Sequence, residues 1–304
     1  MSTPASSPAS SEAKGTHTVT ATPPARIRTD RSARRLPPML RTALSPGVLL
    51  AGLIVLAALA MMLMPGVIAT HDPYPGVASD RLLAPGGSYL FGTDHLGRDL
   101  FSRVVHGAFL SLASAGTAVL VGVFVCALLG LVSGFVGGTL DFIVMRFIDV
   151  LIAVPSILLA LIVVATLGFG PWSVALGVGL GAAGSFARIM RSQVVRVRNE
   201  EYVEAARTLG VRWPGILFGH ILPNAGRPVI ALAALELGTA ILAVSALSFL
   251  GFGAQPPEPE WGALVSGGRD YVSTAWWLSI LPGVVVRAVV LAVNRLARLI
   301  GGER

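Results

Sequence analysis

Residues Ala108–Val132 read AFLSLASAGTAVLVGVFVCALLGLV, without a single Asp, Glu, Lys, Arg or His. Wound as a helix at 1.5 Å per residue, such a run is about 37 Å long, enough to cross a hydrocarbon core of about 30 Å. One long apolar stretch precedes it, Leu44–Met64, and four follow: Phe142–Leu167, Trp172–Met190, Val229–Leu250 and Ala275–Leu296. In lipid each backbone N–H and C=O must find its partner inside the segment, and a helix achieves that. The sequence therefore predicts an all-α integral membrane protein with six transmembrane helices. The fourth run is the shortest and carries Gly177, Gly179, Gly181, Ala182, Ala183 and Gly184. Small residues at this density suit close packing of helix backbones, and a buried helix of a soluble domain is the alternative.

Composition agrees. Of 304 residues, 54% are apolar and 13% charged, with a mean hydropathy of +0.74, whereas soluble domains carry about 25% charged residues. A water-soluble enzyme is excluded on that ground. The net charge of +7 raises the question of nucleic acid until the charges are placed. With the amino terminus in the cytoplasm, eighteen of the Lys and Arg residues fall on that side and four (Arg81, Arg98, Arg103, Arg269) on the other. Such asymmetry is the positive-inside pattern, so both termini are expected in the cytoplasm and no nucleic-acid partner is called for. Arg287 is left inside the sixth run. The single cysteine, Cys126, excludes an intrachain disulfide or multi-cysteine metal site.

Residues 1–43 hold six Ser, seven Thr, Pro23, Pro24, Pro37 and Pro38, too little apolar surface to offset ordering entropy, so a disordered basic cytoplasmic tail is expected. Residues 44–64 would form the first transmembrane helix and 65–107 an extracytoplasmic segment with an interfacial helix. Residues 108–296 would form the membrane core and 297–304 a cytoplasmic carboxyl end.

The connection Arg191–Arg227 is longer than a turn requires and reads as two short helices at about 199–223. Asn199 suits an N-cap, and Glu200 and Glu201 suit the first turn. Gly210 suits a left-handed stop, Pro214 a first turn, and Pro223 a limit to continuation. Glu204-Ala205-Ala206 sets one carboxylate beside two small residues, which fits either a docking element or a solvated amphipathic linker.

Glu204-Ala205-Ala206, three residues, Gly210, then His220-Ile221-Leu222-Pro223 resembles the EAA motif of membrane subunits of ABC importers. In that motif EAA is followed by three residues, Gly, nine residues, Ile, one residue and Leu-Pro. His220 stands at the Ile position, as in the peptide-importer branch. Phe91-Gly92-Thr93-Asp94-His95-Leu96-Gly97-Arg98-Asp99, Gly137-Gly138 with Met145-Arg146-Phe147-Ile148-Asp149 and Pro155-Ser156, and Leu247-Ser248-Phe249-Leu250-Gly251-Phe252-Gly253 with Gln255-Pro256-Pro257 and Trp261-Gly262 are similar to the C-type permease of dipeptide, oligopeptide and nickel importers. Val244 departs from the carboxylate that relatives often carry before that last turn.

The resemblance implies a type I importer permease fold whose coupling helices (Glu204, Ala205, Ala206, Gly210, His220, Leu222, Pro223) dock on an ATPase subunit. Implied partners are a homologous second permease of the B type, two ABC ATPase subunits or domains, an extracytoplasmic substrate-binding protein and the lipid bilayer, in a bacterial cytoplasmic membrane. The solute would be a peptide or a similar small molecule, with nickel complexes and haem as alternatives. The chain itself would hydrolyse nothing and bind no cofactor, ATP and Mg being held by the ATPases. No Gly-x-x-x-x-Gly-Lys-Ser/Thr loop is present, and Lys14 is the sole lysine.

Two ionisable residues fall deep in the predicted helices, Glu236 and Arg287, where charge is costly unless paired or facing water. Their matched depths suggest an ion pair or a shared position on the translocation path; pairing with the second permease is an alternative, and Glu236 would be the coupling carboxylate of a stand-alone proton- or ion-driven transporter. Asp94 with Arg98, Asp99 with Arg103, and Arg146 with Asp149 read as structural pairs. Ala254–Trp261, rich in proline, reads as a stiff external loop; the resemblance implies that it helps gate the external mouth or meets a substrate-binding protein, and a purely structural loop is the alternative. His17, His71, His95, His106 and His220 are not at metal-ligand spacings.

Overall fold

The computed structural model describes residues 45–301, so the expectation for the 1–43 tail lies outside the described residues. Among these the chain is helical, with an isolated bridge between Thr93 and Asp99 in place of any strand. The principal helices are α1 (Pro46–Leu63), α2 (Leu100–Val136), α3 (Gly138–Ala153), α4 (Ser156–Leu167), α5 (Pro171–Arg198), α6 (Glu201–Thr208), α7 (Trp213–Phe249), α8 (Trp261–Gly267) and α9 (Trp277–Gly301). Five of them, α1, α2, α5, α7 and α9, are long and apolar enough to cross a membrane.

The third expected span is broken. The run Phe142–Leu167 divides into α3 and α4, which meet at 92°. Pro155 supplies no N–H, and its ring forces Val154 into extended backbone (φ −84°, ψ 127°), so the helix ends and restarts. At about 24 Å and about 18 Å, neither piece alone crosses the hydrocarbon core.

The segment 65–99 departs from expectation too, because in place of an interfacial helix it holds two short turns, Pro65–Ile68 and Ala78–Asp80. The helix α2 already starts at Leu100, capped by the Asp99 carboxylate accepting from the Ser102 N–H at 3.1 Å.

Helix α5 lies at the centre, packed on α2, α3, α4 and α7. Its glycines make this possible, as the small-residue run predicts. A Cβ on Gly179 would lie 2.5 Å from the Ala118 carbonyl of α2, one on Gly177 2.6 Å from Ala160 Cα of α4, and one on Gly184 2.5 Å from Ile152 of α3. From α2, Gly130 and Gly134 return the fit against Ala187 and Val194. Between lipid-facing helices no hydrophobic drive remains, so such backbone contact supplies the attraction. On the other flank α9 packs on α7, α8 and α1, and Gly47 of α1 lies against the Arg295 guanidinium.

Charged side chains tie the helices near the α5–α6 junction. Arg191 holds Asp141 of α3 through two bonds of 2.5 Å, Arg188 holds Asp149 at 2.9 Å, and Arg198 donates to the carbonyls of Gly134 and Phe135 at the end of α2. Asp149 thus pairs across helices instead of with Arg146, whose guanidinium lies 5.5 Å from the Phe142 ring centre.

Candidate functional site

The candidate site begins where α5 ends. Asn199 caps the end of α5, and Glu200, with extended backbone, starts α6 without a side-chain cap bond. The expected N-cap is therefore displaced by one residue, because α5 runs on to Arg198. Gly210 stops α6 as expected. At φ 78° it lets the Gly210 N–H reach the Arg207 carbonyl at 2.9 Å and the Val211 N–H reach Ala206 at 3.1 Å, the paired bonds of a Schellman stop.

Helix α7 then rises from the hairpin without a break. Pro223 does not end it: a π-helical turn over Leu217–Ile221 precedes Leu222 and Pro223, so the missing N–H of Pro223 falls at the restart of α-helical bonding. The Trp213–Phe249 helix is 37 residues long, about 55 Å, and reaches from the polar hairpin through the depth of a bilayer. His220 sits in the π turn with its ring 6.2 Å from that of Tyr202, and its carbonyl accepts from the Asn224 amide at 2.7 Å.

The hairpin has two faces. Val203, Ile216, Leu217 and Ile221 are buried in one cluster with Ile148, Phe186, Met190, Val194 and Val229 of the large helices. Ala206 is buried too, at 8% exposed, so only Ala205 and Glu204 of the EAA triplet face outward. The other face carries apolar residues that sequence reading passed over: Leu209 is 83% exposed, and Trp213, Phe218 and Tyr202 are exposed as well. They are legible afterwards as the non-core positions of a segment too polar to span lipid. Glu204, Arg207 and Arg212 of the hairpin are exposed as well, and exposed apolar residues in company with such charges are the composition that protein contacts use.

The two charges expected deep in the helices fare differently. Glu236 and Arg287 form no ion pair, and the register of α7 on α9 separates them along the bundle. Arg287 is exposed on the flank of α9, whereas Glu236 lines a cavity of about 410 Å³ between the α3–α4 elbow, α5 and α7.

At the opposite end of the molecule, Asp94 accepts from Arg98 Nε at 2.7 Å as expected, but in a turn and not a helix. Arg103 does not pair with Asp99, which is engaged as the α2 cap and by Thr70 at 2.9 Å. It lies 3.8 Å from Asp94 and donates to the carbonyls of Pro73 and Pro257. The proline loop is thereby fastened to α2. Tyr74 donates to Glu258 at 3.2 Å; burial, then this bond to a carboxylate, holds its phenol above the ordinary value. Glu260 is fully buried and caps α8 by accepting from the N–H groups of Gly262 and Ala263, and it also accepts from the Ser111 hydroxyl of α2. Burial pushes its carboxyl up, against the lowering effect of those donors. Among the described residues no cluster of His, Cys, Asp and Glu could hold a metal ion.

Comparison with known proteins gives this geometry a lineage. Residues 126–302 match the family described as the binding-protein-dependent transport system inner membrane component. The chain is 38% identical to the probable D,D-dipeptide transport system permease protein DdpC of Escherichia coli K12, covering 82% of this chain and 84% of that one. It is 39% identical to the dipeptide transport system permease protein DppC of Alkalihalophilus pseudofirmus, covering 80% of each. It is 38% identical to the glutathione transport system permease protein GsiD of Pectobacterium atrosepticum, covering 81% and 82%. In fold it is similar to a crystal structure of an amino acid ABC transporter with histidines (TM-score 0.52, 15% identity, 66% of this chain and 93% of that). It is also similar to the inward-facing MetNI methionine ABC transporter (TM-score 0.50, 18% identity, 65% and 96%). A helical hairpin joined rigidly to membrane-length helices, in a chain so related, favours an importer subunit over a stand-alone transporter: the chain belongs to the binding-protein-dependent inner membrane component family and is a permease of the ABC importer class.

Proposed function

We propose that this permease moves peptides, or small solutes resembling them, across a bacterial cytoplasmic membrane as one half of a translocation pore. A homologous second permease of the B type forms the other half. Of two ABC ATPase subunits or domains, holding ATP and Mg, one docks on the hairpin of α6 and the start of α7. An extracytoplasmic binding protein delivers the solute. Both termini and the hairpin face the cytoplasm, in keeping with the distribution of Lys and Arg. The chain holds no cofactor and performs no hydrolysis.

The observation that carries this reading is the two-faced hairpin. Its inner face is welded into the core of the membrane helices, and its outer face offers Glu204, Ala205, Leu209 and Trp213 to a partner. Because α7 is continuous from Trp213 to Phe249, displacement of the docked face moves the membrane-spanning part of the same helix. A stand-alone transporter has no use for such a lever. The substrate class follows the D,D-dipeptide, dipeptide and glutathione relatives.

The test is reconstitution of the permease pair with and without the ATPases in vesicles containing ATP, with labelled dialanine and binding protein outside. Uptake that needs both ATP and the ATPases supports the proposal. Uptake by the permeases alone, driven by a proton or ion gradient, overturns it.

A further inference from the structure

The cavity at the elbow of the broken span contains a charge for which the fold supplies no partner. Its walls come from the α3–α4 break (Pro155, Ser156), from α5 (Ser185, Phe186) and from α7 (Glu236, Thr239). Glu236 lies thirteen residues below the outer end of α7 at Phe249, about 20 Å and thus within hydrocarbon depth. Among the described residues it is the only charged one lining the cavity. Among the described residues nothing donates a hydrogen bond to its carboxylate and no cation lies within 4 Å; the Thr239 hydroxyl goes to the Glu236 carbonyl instead.

A carboxylate at this depth is sustained by water or by a cation that comes and goes. The volume suits a small solute, within the range of about 300–1,000 Å³ of ligand sites. The exposed hydroxyls of Ser156 and Ser185 line the same space, and they can donate to the carbonyl or carboxylate of a molecule whose amine faces Glu236. The opening also lies at the one place where a spanning unit is bent by 92°, so that closing or opening the elbow changes the room beside the carboxylate.

We infer that Glu236 is the solute-recognition residue of the membrane passage: it receives the protonated amine of the transported molecule, and for a peptide that is the free α-ammonium group. The inference rests on the peptide-importer reading above and adds the chemical group that the pore selects.

The test uses the complete transporter in vesicles, with dialanine and N-acetyl-dialanine as probes, each at a concentration that saturates the binding protein. Glu236→Gln is expected to lower dialanine uptake about tenfold or more, as loss of a charge-assisted hydrogen bond does. N-acetyl-dialanine uptake should stay within about twofold, and Glu236→Asp should retain most dialanine uptake. Dialanine uptake unchanged by Glu236→Gln overturns the inference. So does an equal loss for both probes, which assigns Glu236 to packing or to pairing with the second permease. A wild-type transporter that hydrolyses ATP yet takes up neither probe overturns the peptide reading, and the assignment to its α-ammonium falls with it, whereas gradient-driven uptake without ATP overturns the importer reading alone.

Discussion

Gly238 of α7 and Asn294 of α9 meet face to face, so closely that a Cβ on Gly238 would fall 2.2 Å from Asn294 Oδ1. This contact fixes the register of two antiparallel helices. Counting outward from it, Glu236 is level with Leu296, and Arg287 is level with Ser245. The two charges are therefore about 13 Å apart along the bundle at 1.5 Å per residue, beyond the reach of an ion pair. Exchanging them, Glu236→Arg with Arg287→Glu, is expected to transport no better than either single change. Recovery in the double variant, measured as ATP-driven uptake at matched protein levels, would contradict this register.

Close approach of α2 to α5 makes a second prediction. A methyl on Gly130 would lie 2.6 Å from the Ala187 carbonyl and 2.7 Å from Met190 Cβ, whereas one on Gly116 of the same helix meets nothing within 4 Å. Gly130→Ala should destabilise by about 1–3 kcal/mol through overpacking. Gly116→Ala should be neutral or stabilising by up to about 1 kcal/mol, since alanine is the better helix former. Thermal unfolding of the two purified variants in detergent separates them, and equal melting temperatures would show that the α2–α5 contact is looser than described.

At Gly210 the cost is conformational alone. Its φ of 78° is left-handed and a Cβ there meets no atom within 4 Å, so Gly210→Ala should cost about 1–2 kcal/mol, confined to the hairpin. Gly210→Asn should cost less, because asparagine tolerates that region. The expected result is weakened coupling of ATP hydrolysis to uptake, alanine worse than asparagine, with inserted membrane helices. The reverse order would mean that this backbone is not held left-handed in the assembled transporter.

Leu209 isolates docking from folding. At 83% exposed it adds little to the stability of the permease, but seated in a partner groove a leucine contributes about 1.5–3 kcal/mol, a factor of about ten to a hundred in affinity. Leu209→Ser should leave the melting temperature of the permease pair unchanged while the amount of co-purified ATPase falls about tenfold. Undiminished ATPase would place the docking contact elsewhere on the hairpin.

How much of this was written legibly in the chain depends on the range of the interaction. Apolar run length found the spans, and the Gly177–Gly184 composition foretold the central position of α5, because both are properties of contiguous residues. Gly210 was readable because a left-handed stop is a local demand. The elbow at Pro155 was missed despite a visible proline, since the apolar run continues across it and hydropathy outweighed the missing N–H. Pro223 erred the other way: a π turn three-dimensionally supported by buried Leu217 and Ile221 absorbed the proline that sequence alone treats as a stop. The pairings Asp141–Arg191 and Asp149–Arg188 join residues 50 and 39 positions apart, and no four-residue spacing rule reaches so far. The outward and inward faces of Glu204-Ala205-Ala206 likewise depended on a core that α6 meets only in the folded molecule.

Glu260 offers a prediction in pH. Its carboxyl, ordinarily near 4.5, is pushed upward by full burial. A carboxyl with a raised folded value binds its proton more tightly folded than unfolded. The stability so gained is complete below the unfolded value near 4.5 and is lost as pH rises through the folded one. Glu260→Gln keeps an acceptor for the cap of α8 and for Ser111 but cannot ionise, so it lacks this slope. Loss of the second carboxylate oxygen from the Ala263 N–H should still cost the variant about 1 kcal/mol at low pH. The wild type should thus be the more stable at pH 4.5, and its advantage should shrink steadily toward pH 8. Melting temperatures of the two transporters across that interval measure the gap. A gap that holds constant, or widens with pH, would mean that the donors of Gly262, Ala263 and Ser111 outweigh burial, and that Glu260 is held ionised inside the fold.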